Sequence, residues 1–122
     1  MAERDLIDAI RDAKHVWIRA GDDHRFIGIW AVVVGGKIFV RSWNVKPAGW
    51  HPAFLKSKRG AIRLGKNEKE IPVRARNIRS EKTKAAVDEA YAEKYTTPAS
   101  LKYVKGFRVA KRRDTTMELE PV

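Results

Sequence analysis

Residues 25–34 (RFIGIWAVVV) form an almost continuous apolar run that is rich in β-branched and aromatic side chains. A run of this length and composition is typical of a strand that is buried on both faces. Gly35 and Gly36 follow it directly, and residues 37–43 (KIFVRSW) then resume the strand pattern. Two strands joined by a pair of glycines predict a tight β-hairpin, with a kink in the first strand at Gly28.

Shorter patterns predict the other strands and helices. Strands are predicted at residues 15–20, 60–65, 70–79 and 115–122. Helices are predicted at residues 3–13, at a short segment with Pro52 in its first turn that includes Phe54 and Leu55, and at 81–94. Many short strands with hairpin links and few helices indicate a small antiparallel β-barrel of the α+β class, with the helices at its periphery.

The helix predicted over residues 81–94 has a defined start and an inward-facing stripe. Ser80 is the expected N-cap, because its hydroxyl can accept a hydrogen bond from the first turn. The stripe consists of Val87, Ala90, Tyr91 and Lys94. We expect the ammonium of Lys94 to extend to solvent along the helix surface. The segment around Pro98 is expected to be a connecting loop.

The composition limits the class of protein. With 122 residues, 43% of them hydrophobic, the chain is expected to form one domain over residues 1–122. It has no cysteine, which excludes a disulfide framework and a Cys-based zinc site. No apolar run approaches the roughly 18 residues of a membrane span. The N-terminus is too polar and acidic for a signal peptide, so the expected location is the cytoplasm.

Positive charge is concentrated in the middle of the chain. The sequence has 26 Lys and Arg against 15 Asp and Glu, a net charge of +11. Residues 37–84 hold fourteen basic and three acidic side chains, so they account for the whole excess. Such a block indicates an anionic partner, which can be a cofactor phosphate, a nucleic acid or an acidic protein. A charged surface that keeps a small protein soluble is the other explanation.

The segment 37–50 (KIFVRSWNVKPAGW) carries the candidate cofactor-binding residues. They are Arg41, Ser42, Trp43, Lys46 and Trp50. The planar guanidinium of Arg41 can donate two hydrogen bonds to a phosphate, and the ammonium of Lys46 adds a positive charge. The hydroxyl of Ser42 can donate a further hydrogen bond. The two tryptophans can pack on an aromatic ring. In the alternative interpretation, Arg41 lies on a wet sheet face and both tryptophans belong to the core.

Other functional classes have weaker signals. The sequence has no phosphate-binding loop, dinucleotide fingerprint, nucleophile elbow or metalloprotease motif, and its three histidines do not form a local metal motif. No catalytic residue and no metal site are therefore assigned. Arg74 and Arg76 share a strand face, so a nucleic-acid groove in a small barrel is the second interpretation of the basic block.

The segments VWIRAGDD, FIGIWAVVVGGKIFVRSWNVKPAGW, IPVRARNI and AYAEKY resemble a bacterial domain-of-unknown-function family. That family is related to the split β-barrel proteins similar to pyridoxamine-phosphate oxidase and the deazaflavin-dependent nitroreductases. The resemblance covers residues 14–122, nearly the whole chain, and it agrees with the predicted order of strands.

The resemblance implies a homodimer that binds FMN or a deazaflavin in a groove between subunits, and it suggests an oxidoreductase. In such proteins the strand and loop after the first hairpin hold the cofactor phosphate. The matching positions here are Arg41, Ser42, Trp43 and the loop with Lys46 and Trp50. The chain lacks the fuller set of basic and hydroxyl residues of the better-known flavin binders. A cofactor-free dimer with a structural role is therefore a third interpretation.

Overall fold

The structure, a computed structural model, describes residues 3–65 and 67–122. Its helices in this part of the chain are α1 (Glu3–Asp12), α2 (Trp50–Ser57), α3 (Glu81–Lys94), α4 (Pro98–Gly106) and α5 (Ala110–Arg113). Its strands are β1 (Val16–Ala20), β2 (Ile27–Ile29), β3 (Ala31–Val34), β4 (Lys37–Val40), β5 (Arg59–Arg63), β6 (Ile71–Asn77) and β7 (Met117–Pro121). None of the helices in the described ranges is long and apolar enough to span a membrane.

The seven strands form one antiparallel sheet in the order β2-β1-β5-β6-β7-β4-β3. Its two edge strands, β2 and β3, follow each other in the chain and are separated only by Trp30. The sheet is therefore an almost closed barrel that opens where the chain passes from β2 to β3. This architecture confirms the α+β class, the barrel and the peripheral helices predicted from the sequence.

The predicted strand over residues 25–34 is two strands, and the break is at Trp30 instead of Gly28. Ile29 pairs with Val16 of β1, whereas Ala31 pairs with Val40 of β4. The two halves of the apolar run thus join opposite edges of the sheet. The hairpin prediction is confirmed: Gly35 and Gly36 connect β3 to β4, with positive φ angles of 58° and 75°.

The inward-facing residues of the strands form the larger core together with α1 and α2. On β1 the buried residues alternate, and Val16, Ile18 and Ala20 are all within this core. The helices contribute Leu6, Ile7, Ile10 and Phe54. The predicted amphipathic helix at the N-terminus therefore covers part of the barrel with its apolar stripe.

A second core lies on the outer face of β3 and β4. Val32 and Phe39 are cross-strand partners on this face, and α3 and α4 cover them. These helices and the residues directly after them contribute Val87, Tyr91, Tyr95, Val104 and Phe107. Both faces of this hairpin are therefore packed against a core, which agrees for β3 with the prediction that the apolar run 25–34 is buried on both faces.

The start of α3 confirms the predicted N-cap, because the Ser80 side chain accepts a hydrogen bond from the amide of Thr83. The loop predicted around Pro98 is wrong. Pro98 is the first residue of α4, and the Thr97 side chain caps that helix by accepting from the amide of Ser100. Proline suits this position, since the first amide of a helix has no intrahelical partner.

Two further expectations are corrected. Strand β4 ends at Val40, and the amide of Ser42 bonds the Thr115 hydroxyl at 2.8 Å instead of a neighbouring strand. Lys94 does not extend to solvent. Its ammonium instead donates to the carbonyls of Ile10, near the end of α1, and Ala31, at the start of β3, at 2.8 and 2.6 Å.

Candidate functional site

A cleft of about 770 Å³ lies at the opening of the barrel. Its walls come from β1, β2, the loop between β4 and α2, and α4. The structure brings all five candidate cofactor-binding residues to this cleft: Arg41, Ser42, Trp43, Lys46 and Trp50. The volume is within the range of small-molecule and cofactor sites, which runs from about 300 to 1,000 Å³.

Arg41 is the most buried of the five, with an exposed fraction of 1%. Its Nε donates to Thr116 Oγ1 at 2.8 Å, and Nη2 donates to the carbonyl of Lys84 at 2.9 Å. Its Nη1 donates to Asp88 Oδ1 at 2.6 Å and to the carbonyl of Phe107 at 3.1 Å. Four of the five N–H groups of the guanidinium are therefore used within the chain.

The ion pair of Arg41 belongs to a wider network. Arg113 also bonds Asp88, at 3.2 Å, and reaches Glu81 at 3.0 Å. The bond to Glu81, followed by the charge of Asp88, raises the pKa of Arg113. Together these contacts join β4 to α3, α5 and the start of β7. Because one of its five N–H donors is left without a partner among the described residues, Arg41 is suited to positioning the neighbouring segments and not to direct contact with a phosphate.

Ser42 and Trp43 form a fixed wall of the cleft. The Ser42 hydroxyl donates to the carbonyl of Asn44 at 2.8 Å, which shapes the loop that follows. The guanidinium of Arg112 lies 3.8 Å over the Trp43 ring, and its Nε donates to the Trp43 carbonyl at 3.0 Å. A Cβ atom on Gly106 would overlap the Trp43 ring, so Gly106 packs directly against it as well. Trp43 is consequently held in place without a ligand.

Lys46 and Trp50 lie at the two ends of the turn that leads into α2. The carbonyl of Lys46 accepts from the amide of Gly49 at 3.0 Å, and Gly49 is the N-cap of α2. The side chain of Lys46 is exposed, and it has no ion pair or hydrogen bond within the described residues. Trp50 is half-buried and packs edge-on against Phe54. Of the five residues, Lys46 is thus the cation available to a ligand.

Sequence reasoning did not identify the other basic residues that line the cleft. They are Lys14, His15, Arg19, His24 and Arg25. Arg19 already forms a two-bond ion pair with Glu70, at 3.1 and 3.2 Å. Burial, and then the charge of Lys14, lowers the pKa of His15. The lining includes no Asp or Glu among the residues that the structure describes, so the cleft favours an anion.

Most of the charge at the cleft therefore comes from outside the basic block. Of the fourteen Lys and Arg in residues 37–84, the cleft is lined by Arg41 and Lys46. Other members of the block lie on the sheet, where Arg74 is opposite Arg59 on one side and Glu120 on the other. No signal in the sequence links Lys14, Arg25 and Lys46, which line the same cleft only because the barrel closes.

An aromatic surface forms the end of the cleft beside α4. The ring of Trp30 stacks on Tyr95 with a centroid distance of 3.9 Å and an interplanar angle of 4°. The carbonyl of Trp30 also accepts from the Tyr91 hydroxyl at 3.2 Å. Tyr103 lies edge-on to Trp30 at 5.8 Å. Trp30 thus combines packing against the second core with a place in the wall of the cleft.

Comparison with known proteins gives a family and a fold. A family model described as an uncharacterized protein conserved in bacteria (DUF2255) matches residues 6–119. Among the curated proteins, none matches the chain significantly.

Two solved structures are similar to this chain. A conserved hypothetical protein from Mycobacterium tuberculosis has a TM-score of 0.65 and 15% identity, covering 100% of this chain and 80% of its own. A putative pyridoxamine 5′-phosphate oxidase from Listeria innocua has a TM-score of 0.65 and 9% identity, covering 98% of this chain and 92% of its own. At these identities the likeness concerns the fold.

Proposed function

The chain belongs to the bacterial family DUF2255, and we propose that its cleft binds a phosphate-bearing cofactor of the flavin or deazaflavin type. The observation that carries the proposal is the composition of the cleft. It combines cations that have no partner in the described chain, a wall of aromatic rings and no carboxylate. The fold shared with a putative pyridoxamine 5′-phosphate oxidase supports the same class of ligand.

The residues present suit a phosphate group. Lys46 and Arg25 line the cleft, are exposed, and form no ion pair or hydrogen bond among the residues described. Either one can meet a phosphate without first breaking a contact within the protein. Arg41 supports them indirectly, because it holds the segment that begins at Ser42.

The residues also suit a planar ring system. Trp30 and Tyr103 line the same cleft, and Trp30 is held flat by its stack on Tyr95. A rigid aromatic wall favours a planar ligand because little side-chain freedom is lost on binding. When bound, a flavin or deazaflavin supplies hydride-transfer chemistry, while the protein holds and orients it. The protein would then be an oxidoreductase, and no side chain is assigned a catalytic role.

Spectroscopy and calorimetry on the purified chain test the proposal. We expect FMN or a deazaflavin cofactor to bind with 1:1 stoichiometry per chain and to quench tryptophan fluorescence. FMN should bind more tightly than riboflavin, which differs from it only by the phosphate. The Lys46→Gln variant should reduce the preference for FMN by about fivefold, the equivalent of about 1 kcal/mol for one exposed charged contact.

The control for Lys46→Gln is Lys37→Gln. Lys37 is an exposed lysine in the β3–β4 hairpin and does not line the cleft, so its loss should leave both affinities unchanged. A chain that binds neither FMN nor a deazaflavin would overturn the proposal. The cofactor-free structural role would then be favoured.

We also propose that the chain forms a homodimer. Support comes from the outer face of the sheet, where the exposed Arg74 and Glu120 are cross-strand neighbours. A two-fold axis can place such mixed charges against their opposites on a second copy. Native mass measured by light scattering should equal two chains. Arg74→Glu and Glu120→Arg should each lower the dimer fraction, and the double variant should restore it. A wild-type chain that is monomeric would contradict this.

The nucleic-acid interpretation is tested in the same preparation. Binding of labelled RNA and DNA oligonucleotides should be absent at 150 mM salt if the basic block is only surface. Affinity that falls steeply as salt is raised would instead favour a nucleic-acid partner, because phosphate contacts release counterions.

A further inference from the structure

A second hollow of about 360 Å³ adjoins the cleft beside α4. It shares Lys14, Thr97 and Ser100 with the cleft, so the two spaces meet at these residues. Its other charged lining residues are Arg11, Asp12 and Lys94. Arg11 is paired with Asp8 at 2.7 Å, so Lys14 and Lys94 against Asp12 leave the hollow with an excess of positive charge.

Lys94 is the most constrained cation of this hollow. Its ammonium is fixed by hydrogen bonds to the carbonyls of Ile10 and Ala31, at 2.8 and 2.6 Å. An ammonium group has three N–H donors, so these two bonds leave one for a further acceptor. Carbonyl oxygens are neutral, and the positive charge therefore has no full counter-charge in these contacts. Burial lowers the pKa of Lys94 to about 8, while the charge of the nearby Asp12 acts in the opposite direction.

Two hydroxyl groups lie at the junction of the two spaces. The Oγ atoms of Thr97 and Ser100 are 2.7 Å apart, and Thr97 Oγ1 accepts from the Ser100 amide. Either hydroxyl can donate to the other. The hydroxyl that accepts this hydrogen bond then keeps its own hydrogen, which it can donate to a ligand. Hydroxyls beside lysines are a suitable donor set for an oxyanion such as a carboxylate or a phosphate.

This junction lies at the opposite end of the β1–β2 ladder from Arg25, another cation of the cleft. In the β1–β2 ladder Val16 pairs with Ile29 and Ile18 pairs with Ile27. Lys14, which precedes β1, and Arg25, which precedes β2, therefore lie beyond opposite ends of that ladder. The five residues of β1 alone extend for roughly 17 Å. An anion bound at Lys14 is therefore distinct from one bound at Arg25.

We propose that Lys14, Lys94, Thr97 and Ser100 form a second anion subsite, which binds the oxyanion of the substrate that shares the cleft with the cofactor. The substrate class is thus a small organic carboxylate or phosphate ester. This inference rests on the proposed function, since it assumes that the cofactor phosphate occupies the opposite end.

Amide chemical shifts in solution test the subsite directly. The full chain, labelled with ¹⁵N, is titrated with inorganic phosphate and, in a separate series, with acetate. We expect phosphate to shift two separated sets of amides, one in residues 44–49 and one in residues 97–100. A shift of the second set by acetate as well would identify a carboxylate-binding subsite, whereas a response to phosphate alone would identify a phosphate-binding one.

Variants assign the second set of shifts to the subsite. Lys14→Gln should weaken phosphate binding at residues 97–100 by roughly fivefold or more and leave residues 44–49 unchanged. Lys14 is exposed, so the variant is expected to fold. The Lys37→Gln control should change neither set.

The outcomes separate this inference from the proposed function. Shifts confined to residues 44–49 would overturn the second subsite and leave the cofactor proposal intact. Shifts confined to residues 97–100 would support anion binding at the junction and count against the cofactor phosphate at the other end. Equal responses in Lys14→Gln and the wild-type chain would exclude Lys14 from the subsite and overturn the proposal.

Discussion

The guanidinium of Arg41 donates a 2.6 Å hydrogen bond to the carboxylate of Asp88, and the Arg41 side chain is fully buried. The two residues are 47 positions apart in the chain. Their contact joins the end of β4 to the middle of α3, and Arg41 also holds the carbonyl of Phe107 after α4. The loop that begins at Ser42 starts from this anchored point, so the geometry of the cleft depends on it.

Asp88→Asn should lower the free energy of unfolding by about 3–5 kcal/mol, because it leaves the buried charge of Arg41 without a counter-ion. Urea unfolding monitored by circular dichroism measures this. The control is Asp8→Asn, which breaks an exposed pair with Arg11 and should cost less than about 1 kcal/mol. If Asp88→Asn left stability unchanged but raised the relative affinity for FMN over riboflavin, Arg41 would contact the phosphate after all.

Gly106→Ala should destabilise the protein by about 1–3 kcal/mol, since the new methyl group overlaps the ring of Trp43. Helix propensity alone predicts the opposite sign, because alanine is favoured over glycine in a helix by about 1 kcal/mol. A loss of stability would therefore show the effect of the contact with Trp43, and a gain would show that of helix propensity. Near-ultraviolet circular dichroism should show a changed tryptophan signal, and Lys105→Ala, at an exposed neighbouring position, should leave that signal as it is.

The pKa of Lys94 predicts a rise in stability with pH. Burial lowers this pKa from 10.5 to about 8. Between these values the unfolded chain keeps its proton on Lys94 while the folded chain has lost it. Since the unfolded state then binds more protons, the free energy of unfolding increases from about pH 8 to about pH 10.5.

Lys94→Met removes this contribution. The free energy of unfolding of the wild type should therefore rise, relative to that of the variant, over the same pH interval. Chemical unfolding at a series of pH values measures the difference. Lys102→Met, which replaces an exposed lysine of α4, should give a constant difference. If the difference in free energy of unfolding between the wild type and Lys94→Met were also constant with pH, folding would not disfavour the charged form of Lys94.

Trp30→Leu should weaken cofactor binding and also cost stability. The variant loses the stack on Tyr95 at 3.9 Å, and such aromatic pairs contribute about 0.5–1.5 kcal/mol beyond the area they bury. Quenching of tryptophan fluorescence by FMN should decrease in the folded variant. Trp17→Leu, at a residue that does not line the cleft, is the matched control and should retain the quenching.

Local sequence patterns were sufficient for much of the fold. Alternation on β1, the two glycines after Val34 and the N-cap at Ser80 act over a few residues, so they can be recognised without knowledge of the partner strands. The side-chain chemistry of residues 37–50 predicted a candidate binding segment, and its five candidate residues line the cleft.

Other features depend on distant parts of the chain. The apolar run breaks at Trp30 because its halves pair with β1 and β4, a choice that a strand pattern does not contain. Pro98 was misread because a proline is equally compatible with a loop and with a helix start.

The sequence by itself therefore determined the class of fold and the segment that carries the candidate site. Only the tertiary structure decided what its residues do. Arg41 became an anchor because Asp88 and Thr116 come from distant segments to take its donors. The closure of the barrel places three distant cations in the lining of one cleft: Lys14, Arg25 and Lys46. Charge is a property of each residue, whereas burial and partnership are properties of the packed chain.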